Sequence, residues 1–387
     1  MSSRINDVYS FSIDMLSKIY VTASWLTGLN RLPVAFKIKG YWNILSLSYS
    51  LFLNIVIGYY VFLLNLNEII SIVRILNVIQ YLICSFIAIK SGTVVKKFYI
   101  ELYEFDKDLK YQWPTTMTAV FNFGFSVIAV FVTIIIFSAI TRLVEIVSQE
   151  LVVLTIMDLS MIIEGFYNGH LFSLLEIRLK TIRILLLSYF PYTNQRYFTE
   201  NENINFEDKN ISKLLIRNPE VEIRKLLLLY HKIIKAYDYL YTAIKWQVFT
   251  TVITSFTTIL NVLYFMMFQH VNKYEYENLH IIPGIGLVTI RAIPFLVYCF
   301  SGSNIANEAA LLHSAVLTRT HRNVFDIENR SYATLFLDLI QARSLTFSVF
   351  RMIEINTTLP FKFLGLLATY LLILMQFEKV LHFENEN

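Results

Sequence analysis

Charge is scarce in this chain. Only 16% of its 387 residues are Asp, Glu, Lys or Arg, where a soluble globular chain carries about a quarter. That is too little charge to coat a water-facing surface. Breaks are scarce too. Eleven glycines and seven prolines leave few places for tight turns, which argues against a sheet-rich fold. The two cysteines, Cys84 and Cys299, both sit in apolar runs and exclude a disulfide framework or a cysteine-rich zinc site. No HExxH, GxSxG, Walker or GxGxxG pattern occurs, and the seven histidines are scattered. No enzyme activity, metal or other cofactor is therefore expected. A formal charge of only +4 gives no footprint for a nucleic-acid partner.

What the chain has instead is apolar length, with 56% of its residues hydrophobic. Seven stretches are long enough to cross a hydrocarbon core of about 30 Å, which takes about 20 helical residues. They fall near Ile44–Leu64, Ile72–Ile89, Ala119–Thr141, Leu151–Ile177, Trp246–Phe268, Ile281–Ser301 and Phe361–Leu381. The expected fold class is an all-α membrane protein with seven transmembrane helices. Of the 33 Lys and Arg, 27 fall on the side that holds the N-terminus and only three on the other, which places the N-terminus in the cytoplasm. Eight glutamates share the outer side with those three bases, a distribution that would concentrate cations there. It is equally what the positive-inside bias leaves behind.

The segments between spans are unequal. Tyr192–Asn210 is rich in Asn and Glu and reads as disordered. From Val221 to Trp246 the apolar residues Leu226, Leu229, Ile233, Tyr237, Leu240 and Ile244 recur every three or four positions, so span five continues as an amphipathic helix outside the bilayer. Span six continues the same way through Ile305, Ala309, Leu312 and Val316, and Ser331–Asn356 reads as a further helix. Stripes of this kind need partners, which predicts a cytoplasmic helical bundle within and between subunits.

Ionisable residues inside spans are costly and mark function by default. Counted from the outer ends of their spans, Asp158 and Arg291 lie at similar depth. They are expected to pair or to line an outer pocket. Glu164 lies near mid-membrane, above Tyr167, Asn168 and His170. Arg74, Asn77, Gln80 and Tyr81 give span two a polar stripe, and Asn261 and Tyr264 do the same for span five. Each could touch a ligand or join a polar network that packs the spans together.

The last span reads Thr369-Tyr370, five apolar residues including Leu372 and Ile373, then Gln376-Phe377. On a helix Thr369, Leu372 or Ile373, Gln376 and Val380 share one stripe. An amide facing lipid without a partner costs several kcal/mol, so Gln376 should face a neighbouring helix or water. This TY…QF pattern resembles the final span of insect gustatory receptors, and the whole chain resembles that family in length, span count and inverted topology. The resemblance implies a ligand-gated, non-selective cation channel in the plasma membrane of gustatory neurons. It also implies four subunits, as a homotetramer or with related subunits, around one axis. The last helix would line the pore, with Gln376 and Phe377 at its gate and constriction and Thr369 and Tyr370 earlier on the same helix. A small-molecule tastant would bind among the first six spans. Some sugar-sensing members have Glu where this chain has Leu371, so bitter or other non-sugar compounds are the expected ligands.

The organisation that follows is a cytoplasmic segment at 1–43, a six-helix ligand-binding membrane domain at 44–301, anchor helices at 302–358, and a pore helix with a short outer tail at 359–387. Two other classes carry seven spans or similar hydropathy. A G-protein-coupled receptor would have the opposite orientation, a DRY after span three and an NPxxY in span seven, none of which is present. A carrier would show an internal repeat, and none is visible.

Overall fold

The structure, a computed structural model, describes residues 15–29, 40–63, 69–109, 149–190, 223–271, 277–321, 325 and 327–385. The expected third span, Ala119–Thr141, and the polar stretch Tyr192–Asn210 lie outside the described residues. The rest is almost entirely helical: α1 (Met15–Leu26), α2 (Gly40–Leu63), α3 (Ile69–Leu109), α4 (Gln149–Tyr189), α5 (Ile223–Val271), α6 (Glu277–His321), α7 (Ile327–Ala342) and α8 (Leu359–Asn385). A hairpin of β1 (Ser348–Val349) and β2 (Ile353–Glu354) precedes α8. Four helices among the described residues are long and apolar enough to cross a membrane, Ile75–Leu109, Ile223–Tyr264, Val288–His321 and Leu359–Phe377, and a shorter apolar one covers Ile44–Ile57.

Length sets the architecture. α5 has 49 residues and α6 has 45, so at about 1.5 Å per residue each is roughly twice as long as a bilayer core is thick. Both expected continuations are therefore single unbroken helices. Their stripes are the core of the extended bundle: Leu226, Leu229, Ile233, Tyr237, Leu240 and Ile244 are buried, as are Ile305, Ala309, Leu312 and Val316. α7 adds Ala333, Phe336 and Ile340 to the same core, with the Phe336 ring 5.3 Å from that of Tyr230.

α3 runs antiparallel to α5, with Gln80 beside Thr251 at one end and Lys232 bonded to Asp108 at the other. α4 runs parallel to α6, and two glycines set how closely they approach. A Cβ added at Gly165 would lie 2.9 Å from Pro294 Cβ, and one at Gly169 would lie 2.6 Å from Val297 Cγ1. A small-xxx-small face lets the two backbones approach, and packing of that kind holds helices together where no hydrophobic force acts between them and lipid. Away from this contact, Arg178 donates twice to Asp106, at 3.0 and 2.7 Å, and Arg183 reaches Glu308 at 3.1 Å.

Two findings depart from the sequence reading. Residues 1–43 are expected only as a cytoplasmic segment, with no helix assigned in them, yet α1 packs against α4 and is tied to α3. Tyr99 donates to Ser17 at 2.8 Å, and Tyr81 donates to the Thr27 carbonyl at 2.8 Å. The chain leaves α1 through Gly28 at φ 91°, a conformation that only glycine adopts without strain. The second departure is Ser331–Asn356, which is not one helix. α7 stops at Ala342, and from Leu345 the pattern switches to period two, with Leu345, Phe347 and Val349 buried between exposed or half-buried Ser and Thr. That is strand periodicity. The turn holds Phe350 at φ 52° and Arg351 at φ 59°, each costing about 1–3 kcal/mol for a residue with a side chain.

Candidate functional site

The polar residues that α3, α4, α5 and α6 carry toward one another form a buried column. At its upper level Arg291 is ion-paired with Asp158 and donates to Gln80 Oε1 at 3.1 Å. All three are buried. Gln80 in turn donates to Thr251 at 3.3 Å, Ser255 donates to the Arg291 carbonyl at 3.1 Å, and Thr258 reaches Asn77 at 3.5 Å. Arg291 keeps one donor, Nε, without a partner among the described residues.

A second level lies one to three turns along α4. Gln247 donates to Glu164 at 2.9 Å and accepts from Asn168 Nδ2 at 3.2 Å, and the same Asn168 nitrogen lies 2.9 Å from the Tyr298 hydroxyl. The third level is His170, whose Nε2 lies 3.2 Å from Ser17 Oγ and whose ring lies 5.8 Å from that of Tyr20. In an apolar bundle each of these groups would be costly alone. Mutual hydrogen bonding makes the column tolerable.

The expected pair Asp158–Arg291 is therefore formed, and Asn77 and Gln80 join it. Tyr81, next to Gln80, points the other way toward α1. Glu164 belongs to the second level and not to the Arg291 cluster. Asn261 donates to the Thr257 carbonyl of its own helix at 2.9 Å, and Tyr264 is half-buried. The side chain of Arg74 lies outside the described residues. Gln247, Thr251, Ser255, Thr258 and Tyr298 were missed by the sequence reading. Four of them had a visible signal, because Gln247, Thr251, Ser255 and Thr258 recur at steps of three and four along α5. Beside the column, a mostly apolar cavity of about 250 Å³ opens between α1, α2 and α4, with Thr27, Tyr49, Leu53 and Thr155 among its lining.

α8 contrasts with this. It is seated by Phe363, whose ring is 5.0 Å from Phe256 and 4.8 Å from Phe295, and by buried Leu367. Tyr370 stays near the seat, 6.0 Å from Phe256. Much of the remainder is uncovered: Thr369, Leu372, Ile373, Gln376 and Phe377 are exposed, while Leu371, Leu374 and Met375 are half-buried, and a Cβ at Gly365 would meet nothing within 4 Å. Gln376 lies nine positions beyond Leu367, about two and a half turns, and so on the face opposite the seat. The side chain of Val380 lies outside the described residues.

The family described as 7tm chemosensory receptor matches residues 17–381. The insect olfactory receptor OR5 from Machilis hrabei in complex with eugenol superposes with a TM-score of 0.66 at 13% identity, covering 93% of this chain and 97% of that one. The structure of the same receptor described without eugenol gives 0.51 at 12% identity over the same shares. No curated protein matches the sequence.

Proposed function

The chain belongs to the 7tm chemosensory receptor family, and from that premise we propose that it is a ligand-gated cation channel of four subunits whose last helix lines a shared pore. Membership bears out the resemblance to insect chemoreceptors and makes the chain a receptor, not an enzyme. The observation that carries the channel reading is the direction of Gln376. An amide turned away from its own bundle, directly after the five apolar residues 371–375, needs water or protein opposite it. Copies of α8 meeting at an axis supply both. The stripe Thr369, Leu372, Gln376 then forms rings of apolar side chains with one ring of amides, and Phe377 sits at its edge. Such a ring closes by dewetting and conducts when widened.

In this reading the N-terminus is cytoplasmic, the protein sits in the plasma membrane of sensory neurons, and the assembly is a homotetramer or includes related subunits. The TY…QF motif favours taste over smell, and Leu371 favours bitter or other non-sugar ligands. The ligand binds near the upper level of the polar column, where the Arg291 Nε offers a buried donor to a small molecule with one acceptor and an apolar body. Asp158, Gln80 and Asn77 are the candidates beside it, and Arg74, Tyr81, Glu164, Asn261 and Tyr264 are kept as further proposed pocket residues.

Purified protein in a planar bilayer tests the reading. Gln376→Ala should change permeability ratios or open probability while surface expression stays at the wild-type level. Wild-type permeation in that variant refutes the pore role of α8.

A further inference from the structure

The segment between α7 and α8, residues 343–358, is seated against three helices along its length. Phe347 packs its ring 5.2 Å from Phe172 of α4 and 5.4 Å from Tyr241 of α5. Phe350, at the turn, sits 4.5 Å from Trp246 and 5.1 Å from Phe249, both on α5. The Ile355 carbonyl lies so close to α6 that a Cβ on Gly302 would come within 2.7 Å of it. The segment ends in a rigid cap, because Asn356 Oδ1 accepts from the Thr358 hydroxyl at 2.7 Å and from the Thr358 and Leu359 amides at 3.1 and 3.2 Å. Between these seats lies an open polar space. A cavity of about 220 Å³ separates the segment from α6, lined by Ser303, Asn307, Thr346, Glu354 and Thr357 among others.

A strained turn held by aromatic side chains, an absent side chain that permits contact with α6, a cap that makes the segment continuous with α8, and free volume beside it are the parts of a lever. We propose that residues 343–358 transmit movement of α5 and α6 to α8, with Phe350 as the pin held by α5 and Gly302 as the stop against α6. The inference rests on the reading of α8 as the pore helix. It adds to that reading the positioning residues through which the bundle controls the helix. Strain belongs in such an element because a left-handed turn that relaxes when its pin is withdrawn gives two discrete arrangements. Neither Phe350 nor Gly302 lies on the face that would line a pore, so changing them should alter how often the channel opens and not what passes.

The test uses full-length Gly302→Ala and Phe350→Ala in purified form. Hydrogen exchange reads the seat: the Ile355 amide donates to the Phe347 carbonyl at 2.8 Å and should exchange faster in both variants. Planar-bilayer recording without added ligand reads gating. Spontaneous open probability should change by about fivefold or more, the lower end of typical allosteric couplings, with wild-type permeability ratios. Unchanged exchange overturns the seat, and faster exchange with wild-type open probability overturns the lever. Both failures leave the channel reading standing if Gln376→Ala still alters permeation. A wild-type protein that passes no current overturns the channel reading and the lever with it.

Discussion

Removing the Asp158 carboxylate should damage folding more than removing its partner, and removing both should do least. Asp158 is 7% exposed and Arg291 4%. Deleting one member of a buried ion pair costs about 3–5 kcal/mol, because the other charge is left uncompensated. The two single changes are not equivalent. In Asp158→Leu the guanidinium keeps the Gln80 oxygen at 3.1 Å but cannot shed its proton. In Arg291→Met the carboxyl can take up a proton and become neutral. Asp158→Leu should therefore sit at the upper end of the range, and Arg291→Met at or below the lower end. The double variant replaces the pair with apolar volume, a change that is often close to neutral, so the coupling should be about 3 kcal/mol or more. At about 1.4 kcal/mol per factor of ten, that predicts more than a hundredfold change in the folded-to-unfolded ratio. Melting followed by size-exclusion chromatography in detergent, on wild type, both singles and the double, completes the cycle. Additive effects of the two singles would refute the reasoning.

Two further outcomes follow from packing and capping. Gly165→Ala should cost about 1–3 kcal/mol, the usual penalty of overpacking, because its Cβ would meet Pro294 at 2.9 Å; melting of the purified variant checks it, and an unshifted melt contradicts the close α4–α6 approach. Asn356→Ala should cost about 1 kcal/mol as a lost helix cap and quicken amide exchange at Thr358 and Leu359, while Asn356→Asp keeps both near wild type.

Much of the fold was legible because it depends on local periodicity. The stripes of α5 and α6 are i, i+3, i+4 patterns, and burying them needs no knowledge of which helix lies opposite. The Asp158–Arg291 pair was legible for a different reason: in a membrane span two opposite charges at equal depth have few other ways to be satisfied. Gln247 and Tyr298 were not foreseen as partners of Glu164 and Asn168, since nothing local says which helices meet at that depth. Leu345, Phe347 and Val349 did announce a strand, but only three alternations long, and the helical pattern before them masked it.

The sequence by itself determined that the chain is helical and apolar, where most of its spans lie, and which terminal motif it carries, because hydropathy and helical period are properties of neighbouring residues. Only the tertiary structure decided that α1 joins the bundle, that Tyr81 turns away from Arg291, and that Gln376 faces opposite the Phe363–Leu367 seat. Those are questions of azimuth and partner, and a helix acquires a direction only when another surface is there to define it.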